Sequence, residues 1–287
     1  MNAVRPTTWN WTEGRQWTFD AAPRVMGILN VTPDSFSDGG RWLDVDAAVD
    51  RAFQLVAEGA DLIDIGGEST RPGSLPVEPA EQLRRVLPVI ERLAGAVSVP
   101  LSLDTSSSLV AREGLGAGAH IVNDVTALSG DPEMASVCAA ARCGVIIMHM
   151  QGNPRTMQIA PRYDDVVREV AEYLSARVRQ LVNAGIAAER IVIDPGIGFG
   201  KTAPHNLALL SNVARLREAG RPVLIGHSRK RFLKAVLGRP VEEATAGTIG
   251  VAIAVTEQGA ELIRVHDVRV VKDAITAWRA VRLGAVQ

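Results

Sequence analysis

The sequence predicts an α/β protein in which eight strands alternate with helices and close into a single-domain (β/α)8 barrel, the TIM barrel fold. Short apolar runs end in polar or glycine-rich loops, and a longer stretch with helical spacing follows most of them. The runs are apolar throughout, as in parallel strands that are buried on both faces. Eight such units in 287 residues fit a closed barrel better than an open sheet.

The strands and helices follow in order along the chain. The predicted strands are Val25–Asn30, Leu62–Ile65, Val99–Asp104, His120–Asn123, Val145–His149, Ile191–Asp194, Val223–Ile225 and Leu262–Val265. Helical spacing covers Asp46–Glu58, Ala80–Leu93, Pro132–Ala141, Asp165–Ala184 and His205–Ala219. Six glycines precede strands where a helix that has just ended favours a left-handed residue. They are Gly59, Gly118, Gly144, Gly185, Gly220 and Gly259.

Residues 1–22 precede the repeat and hold three of the five tryptophans. We expect them to form an extended segment or hairpin that packs on the bottom of the barrel and carries no chemistry. The barrel itself is assigned to residues 23–287, because no low-complexity linker divides them.

Composition excludes several classes of function. The chain has 31 Lys plus Arg against 32 Asp plus Glu, a net charge of −1, which argues against a broad nucleic-acid-binding surface. No apolar run approaches the ~20 residues that span a membrane. Two cysteines, Cys138 and Cys143, are too few for a disulfide scaffold, so we expect both to be buried thiols. The sequence therefore predicts a soluble cytoplasmic protein.

Polar side chains end the predicted strands. They are Asn30, Asp64, Asp104, Asn123, His149, Asp194, His227, Ser228, Arg264 and His266. A carboxylate or amide at the end of an apolar strand is unfavourable unless it is paired or used, although one or two could cap the following helices. In a barrel these ends converge on the face that carries active sites. Their convergence predicts a site at that face.

Longer strings along the same loops carry a family signature. They are MGILNVTPDSFSDGG (26–40), DIGGESTRPGS (64–74), LDT (103–105), HIVND (120–124), MHMQGNPRTMQ (148–158), DPGIGFGKT (194–202), SRKRF (228–232) and RVHDV (264–268). They keep one order and span almost the whole chain beyond the N-terminal segment. In these strings the chain resembles the dihydropteroate synthases, a pterin-binding family.

The resemblance implies a barrel transferase of folate biosynthesis, which joins p-aminobenzoate to 6-hydroxymethyl-7,8-dihydropterin pyrophosphate and releases pyrophosphate. It also implies Mg²⁺ as cofactor, a homodimer and inhibition by sulfonamides. A pterin edge presents N–H donors and calls for acceptors. The pterin set is Asp104, Asn123, Met148, Asp194 and Lys230.

The departing pyrophosphate calls for cations and fixed donors. Its set is Asn30, Arg71, Arg264 and His266, of which Asn30 is also the Mg²⁺ residue. The p-aminobenzoate set is Thr70, Pro72, Phe199, Lys230 and Ser228. The residues assigned to catalysis are Asn30, Arg71, Lys230, Arg264 and His266. No side-chain nucleophile is expected, because the arylamine already carries a lone pair.

Some positions have two interpretations. Asp104 and Asn123 could instead cap helices. His266 alone could be structural, but it lies two residues from Arg264 at a strand end, which places both side chains on one face. Arg231 stands where many relatives have Ser, and it could pair with a carboxylate or project into solvent. His227 is assigned no role.

Two loops, Thr32–Gly40 and Gly66–Pro76, combine glycine with proline. We expect them to order over bound pyrophosphate, with Asp34 and Ser35 shaping the first, although ordinary connecting loops have the same composition. GIGFGK at 196–201 lacks the spacing of a nucleotide-binding phosphate loop.

Two other functions compete with synthesis of dihydropteroate. A pterin-binding methyltransferase would transfer a methyl group to a corrinoid protein, and a silent pterin-binding protein would catalyse nothing. The family's homodimer points to Glu242–Gln258 and Asp267–Arg282 as interface segments. In the second, apolar positions at helical spacing could equally cover the barrel. They are Val268, Val271, Ile275 and Trp278.

Overall fold

Eight parallel strands form the centre of the protein in a computed structural model that describes residues 7–19, 22–32, 45–69, 74–153, 156–240 and 243–285. The strands are Arg24–Asn30 (β3), Leu62–Gly66 (β4), Leu101–Asp104 (β5), Ile121–Asp124 (β6), Gly144–Met148 (β7), Ile191–Asp194 (β8), Leu224–Gly226 (β9) and Leu262–Val265 (β10). Neighbours pair in the order β8-β7-β6-β5-β4-β3-β10-β9. A parallel bridge between Ile193 and Val223 closes the ring, which confirms the predicted barrel.

Ten α-helices are found in the described part of the chain. They are Val45–Ala57 (α1), Pro79–Leu93 (α2), Ser108–Gly116 (α3), Met134–Ala141 (α4), Val166–Asn183 (α5), Ala203–Leu210 (α6), Val213–Leu216 (α7), Arg231–Leu237 (α8), Thr245–Glu257 (α9) and Val268–Leu283 (α10). Short 3-10 helices add Ala188–Arg190 and Arg217–Ala219. None of the described helices is long and apolar enough to cross a membrane. Cys138 and Cys143 are buried free thiols, as expected.

The predicted single helix over His205–Ala219 is wrong. The chain leaves helical geometry at Asn212, whose side-chain amide donates to the Ala208 carbonyl. The side chain of Gln258 replaces the missing backbone bonds, because it accepts from the Val213 N–H at 3.0 Å and donates to the Leu210 carbonyl at 2.7 Å. A partner 45 residues away therefore sets this break.

Alternation along the strands divides the core into two layers. Side chains such as Val25, Ile63 and Val265 face outward and pack beneath the helices. The intervening positions face the barrel axis, where the bottom layer is apolar. Its strand members are Met26, Leu62, Ile121, Ile146, Val192, Leu224 and Leu262.

An antiparallel hairpin, Thr7–Thr12 (β1) with Arg15–Phe19 (β2), closes the bottom of the barrel. Trp9, Trp11 and Phe19 pack against the apolar bottom layer, and Trp9 is fully buried. This confirms the predicted packing of the N-terminal extension. The hairpin supplies aromatic bulk to a barrel whose own strands are mainly aliphatic.

Replacing Trp9 by Ala should destabilise the protein by about 3–5 kcal/mol, the usual loss for a buried large aromatic side chain. The change empties the floor of the barrel and removes the indole N–H bond to the Arg190 carbonyl, which measures 2.9 Å. Urea unfolding measures this loss of free energy. Phe53→Ala, at an exposed aromatic residue of α1, is the control and should lose less. A Trp9→Ala protein as stable as Phe53→Ala would contradict the packing.

Five of the six predicted glycine positions have positive φ, and Gly144 does not. The left-handed residue at the end of α4 is Arg142, with φ of 51°. Gly144 has another reason to be glycine, because a Cβ there would lie 2.9 Å from the Trp11 Cα. The prediction was wrong because the hairpin's close approach cannot be read from the helix ending.

Candidate active site

The same strand alternation brings the predicted site residues together at the mouth of the barrel. Two residues further along the strands, six of the eight axis-facing positions are polar or sulfur-containing, while β3 has Ile28 there and β9 has Gly226. The six are Asp64, Asp104, Asn123, Met148, Asp194 and Arg264. Asn30, half-buried at the end of β3, and His266, just beyond β10, continue the alternation of their own strands. The predicted convergence is confirmed for these residues, whereas His227 bonds to the Thr248 carbonyl of α9 and His149 packs on Tyr173 of α5.

Arg264 is the centre of a hydrogen-bonded network across four strands. Its Nε donates to Asp64 at 2.6 Å and its Nη2 to Asp104 at 2.9 Å. The fully buried Asp64 also accepts from the Ser102 hydroxyl at 2.6 Å and from the Asn123 amide at 3.0 Å. Asp64 was among the predicted strand-end residues, but it was assigned to none of the ligand sets. This network holds Asp104, Asn123 and Arg264 in fixed orientations.

Asp104 and Asn123 are not helix caps. Ser107 caps α3 through its hydroxyl, and the loop after β6 is held by Asp124, which accepts the Thr126 backbone N–H at 2.8 Å. Ser107 lies three residues after Asp104, and Asp124 directly follows Asn123. Asp104 and Asn123 are therefore left to face the barrel axis.

Burial shifts the pKa of the ionisable groups at the mouth. It raises the pKa of Asp194 to about 6, and burial together with repulsion from Asp64 raises that of Asp104 to about 7. Burial and the neighbouring Arg264 lower the pKa of Lys230 to about 8. Burial alone would lower the pKa of Arg264, but Asp64 and Asp104 raise it above its usual value. Near neutral pH the mouth thus holds acceptors and cations side by side.

The loop after β8 faces an aromatic and sulfur-rich wall. Asp194 Oδ1 accepts the Gly196 backbone N–H at 2.7 Å, which turns the chain over the mouth. Phe199 then packs with Met148 and Met157. The Lys230 ammonium, from the residue before α8, lies 4.2 Å from the centre of the Phe199 ring. Lys230 thus faces both a carboxylate and an aromatic ring.

Ser228 and His266 meet between β9 and β10. The serine hydroxyl lies 3.1 Å from His266 Nδ1 and accepts the His266 backbone N–H at 3.3 Å. His227 is buried, and its Nε2 lies 2.9 Å from the Thr248 carbonyl in α9. Arg231 is exposed at the start of α8, which favours the solvent-facing alternative for its side chain.

Sequence reasoning identified His149 as a strand-end residue but missed its buried partner Lys201. Their Nζ and Nδ1 atoms are 3.0 Å apart. Burial lowers the pKa of Lys201 to about 7, while burial and the lysine charge lower that of His149 to about 3. The signal was a lysine at the end of a glycine-rich string that has no nucleotide-binding spacing.

Thr70, Arg71 and Pro72 lie outside the described residues. So do residues 33–40 of the first predicted cover loop, with Asp34 and Ser35. Their predicted roles stay predictions.

The affinity for a pterin should fall as the pH drops below about 6. Only the ionised Asp194 offers two acceptors, and its raised pKa means that protonation begins in this range. Binding titrations with dihydropterin between pH 5 and 7 should show the affinity falling about tenfold per pH unit at the acid end. This dependence is the one expected when a single proton is taken up. The Asp194→Asn variant should lose this pH dependence of the affinity, but any change in affinity caused by protonation of Asp104 near pH 7 should remain. A wild-type affinity that does not change over this range would contradict the assignment.

Residues 26–266 match the family of pterin binding enzymes. The chain belongs to the pterin binding enzymes.

Within them, the similarity is to dihydropteroate synthases. The chain is 47% identical over 261 residues to the dihydropteroate synthase of Escherichia coli K12, with 90% of each chain covered. It superposes on dihydropteroate synthase of Xanthomonas albilineans with 4-aminobenzoic acid (TM-score 0.89, 48% identity, 96% and 98% of the two chains). It also superposes on the Yersinia pestis enzyme in a sulfonamide drug complex (TM-score 0.88, 42% identity, 95% and 98%). By fold and family this chain is a transferase of the dihydropteroate synthase type.

Proposed function

We propose that the mouth of the barrel joins 6-hydroxymethyl-7,8-dihydropterin pyrophosphate to p-aminobenzoate, through the residues described above. The main support for this assignment is that a buried acceptor, Asp194, lies at the same rim as the cations Lys230 and Arg264. Acceptors suit the N–H edge of a pterin, and cations suit a departing pyrophosphate.

The pterin lies at the centre of the mouth. Asp194 accepts from its 2-amino and ring N–H groups, and Asn123 and Asp104 complete this edge. Lys230 donates to the pterin carbonyl or a ring nitrogen. Met148 offers a polarisable surface to the ring. The network around Asp64 supports this role, because it fixes Asn123 and Asp104 before a substrate arrives.

p-Aminobenzoate lies against Phe199 with its carboxylate toward Ser228 and the start of α8. The Phe199 ring offers a face for the aryl group, and the Lys230 ammonium beside it attracts the carboxylate. Thr70 and Pro72 belong to the same set by resemblance. We assign Arg231 no contact, because it is exposed.

The pyrophosphate lies toward Arg264 and His266, with Arg71 added by resemblance. Arg264 uses Nε and Nη2 for Asp64 and Asp104 and keeps further N–H donors on its fork. The two carboxylates therefore orient the guanidinium without using all of its donors.

Mg²⁺ would be held at Asn30. The described residues contain no group of three or more His, Cys, Asp or Glu side chains suited to a metal. One amide oxygen at the half-buried end of β3 fits a hydrated Mg²⁺ whose remaining ligands are water and phosphate oxygens. When bound, Mg²⁺ supplies positive charge to the pyrophosphate.

The chemistry needs no covalent intermediate with the protein. The arylamine lone pair forms a bond to the methylene carbon, and the carbon–oxygen bond breaks with its electron pair on pyrophosphate. The attacking amine then gives up one proton to solvent water. Orientation of the amine and stabilisation of the leaving group are the tasks of the site.

The test is an assay with purified protein, Mg²⁺, dihydropterin pyrophosphate and p-aminobenzoate. We expect equal amounts of dihydropteroate and pyrophosphate, and neither product with Lys230→Met. A folded protein that releases neither product would overturn the proposal. Methyl transfer from a methylated pterin to a corrinoid protein would favour the rival methyltransferase.

Sulfonamides should compete with p-aminobenzoate, because their sulfonyl group replaces the carboxylate beside an arylamine. Initial rates at several p-aminobenzoate concentrations measure this. The apparent KM should rise with inhibitor while kcat stays constant, and excess p-aminobenzoate should restore the rate. Inhibition that p-aminobenzoate does not relieve would place the drug elsewhere.

The assembly is a homodimer in the cytoplasm. Val268, Val271 and Ile275 pack in the barrel core, so those positions of α10 cover the barrel. The dimer rests on family resemblance and on the remaining surface of α9 and α10. Two buried free thiols support a reducing compartment. Light scattering after gel filtration tests the dimer, and a mass near 30.6 kDa would contradict it.

A further inference from the structure

Lys201 is a buried amine that none of the proposed substrate contacts uses. The residue is 3% exposed. Nζ donates to the Phe199 carbonyl at 2.9 Å and to the His149 carbonyl at 3.3 Å, and it lies 3.0 Å from His149 Nδ1. These three polar neighbours match the three N–H donors of the charged form. Lys201 therefore connects the loop after β8 to the end of β7.

The rest of this loop is held by neutral side chains. Gly198 donates to Asn206 at 2.7 Å and accepts from Gln158 at 2.7 Å, and Gly200 accepts from the Tyr163 hydroxyl at 2.9 Å. These contacts fix the glycines on either side of Phe199. The carbonyl of Phe199 itself receives its side-chain hydrogen bond from Lys201.

The Phe199 ring has two neighbours that make its position matter. Met148, which also belongs to the proposed pterin set, packs with Phe199 and Met157. The Lys230 ammonium lies 4.2 Å from the centre of the Phe199 ring. A shift of the Phe199 backbone would therefore move both the aryl wall and the neighbour of Lys230.

We propose that Lys201 is a positioning residue, which fixes the Phe199 ring beside the Lys230 ammonium and thereby sets the affinity for p-aminobenzoate. This inference rests on the proposed function of Phe199 as the aryl wall. Lys201 touches no substrate and acts through the backbone of its neighbour two residues earlier.

The experiment compares four variants in steady-state kinetics: Lys201→Met, Phe199→Leu, the double variant and Tyr163→Phe. Lys201→Met should raise the KM for p-aminobenzoate about tenfold or more, since small misplacements have effects of this size or larger. The KM for the pterin substrate and kcat should change much less. Tyr163→Phe removes another bond to the same loop and should change the KM for p-aminobenzoate less than the other variants do.

The double variant separates positioning from a general loss of structure. If Lys201 acts through Phe199, adding Lys201→Met to Phe199→Leu should raise the KM less than about twofold further. The inference would be overturned if Lys201→Met raised the KM for p-aminobenzoate by the same factor in the wild type and in Phe199→Leu. An unchanged KM in folded Lys201→Met would also overturn it. Either result would leave the proposed function intact. A normal KM in Phe199→Leu would remove the aryl wall and the inference with it. If Lys201→Met does not fold, Lys201→Leu, which likewise has no N–H donor, replaces it in both comparisons.

Discussion

Replacing Asp194 by Ala should weaken binding of dihydropterin pyrophosphate by about 100-fold or more. The carboxylate accepts two N–H donors from the pterin, and hydrogen bonds to a charged group contribute about 1.5–3 kcal/mol each. At about 1.4 kcal/mol per tenfold, two such bonds account for a loss of this size. The change also leaves Lys230 and Lys201 without a carboxylate that favours their charged forms.

Calorimetric titration with the pterin substrate measures the Asp194→Ala effect, and a thermal melt confirms that the variant is folded. The matched control is Asp165→Asn, at an exposed helix cap where Asn serves equally well. It should bind like the wild type. An Asp194→Ala protein with wild-type affinity would remove the principal pterin contact from this account.

Replacing Arg264 by Ala should lower kcat/KM by about 10²–10³-fold, the range seen when one charge-stabilising donor is removed from an active site. The same change leaves Asp64 and Asp104 facing each other without their shared cation. Repulsion between them then raises the pKa of Asp104 further above its ordinary value. Stability should also fall, because breaking one side of a buried ion pair costs about 3–5 kcal/mol.

The role of Arg264 in pyrophosphate binding is separable from its role in the network. In Arg264→Ala, the affinity for free hydroxymethyl dihydropterin measures how far the loss of the ion pair disturbs Asp104. The affinity for the pyrophosphate form measures this disturbance together with the lost phosphate contact. We expect the second affinity to fall more. Arg264→Lys keeps a positive charge but lacks the fork that serves both carboxylates, so it should recover only part of the loss. Equal losses for the two ligands in Arg264→Ala would contradict a phosphate role. Arg112→Ala, in an exposed ion pair with Glu133, should change neither affinity.

The period of two along buried strands made most of the site predictable. Once the strand ends were located within two residues, alternation placed Asn123 and Asp194 on the barrel axis. The partners of those side chains were not predictable. Arg264 bonds to Asp64, 200 residues earlier, and this contact depends on how the ring closes.

Contacts between separate loops account for the remaining differences. Lys201 lies in a glycine-rich string, and its burial depends on the end of β7 approaching that loop from another part of the chain. Gly144 belongs to the same class, since its neighbour Trp11 comes from the N-terminal hairpin. Local patterns carry information about periodicity and capping, whereas such pairings arise only in the folded barrel.

In the proposed site, one rim binds the pterin by its acceptors and the pyrophosphate by its cations. A crystal structure of the protein with dihydropterin pyrophosphate would show both contacts at once. We expect two hydrogen bonds from the pterin 2-amino and ring N–H groups to Asp194, with the pyrophosphate oxygens against Arg264 and His266. A pterin bound away from Asp194, or a pyrophosphate that points away from Arg264, would contradict the proposal.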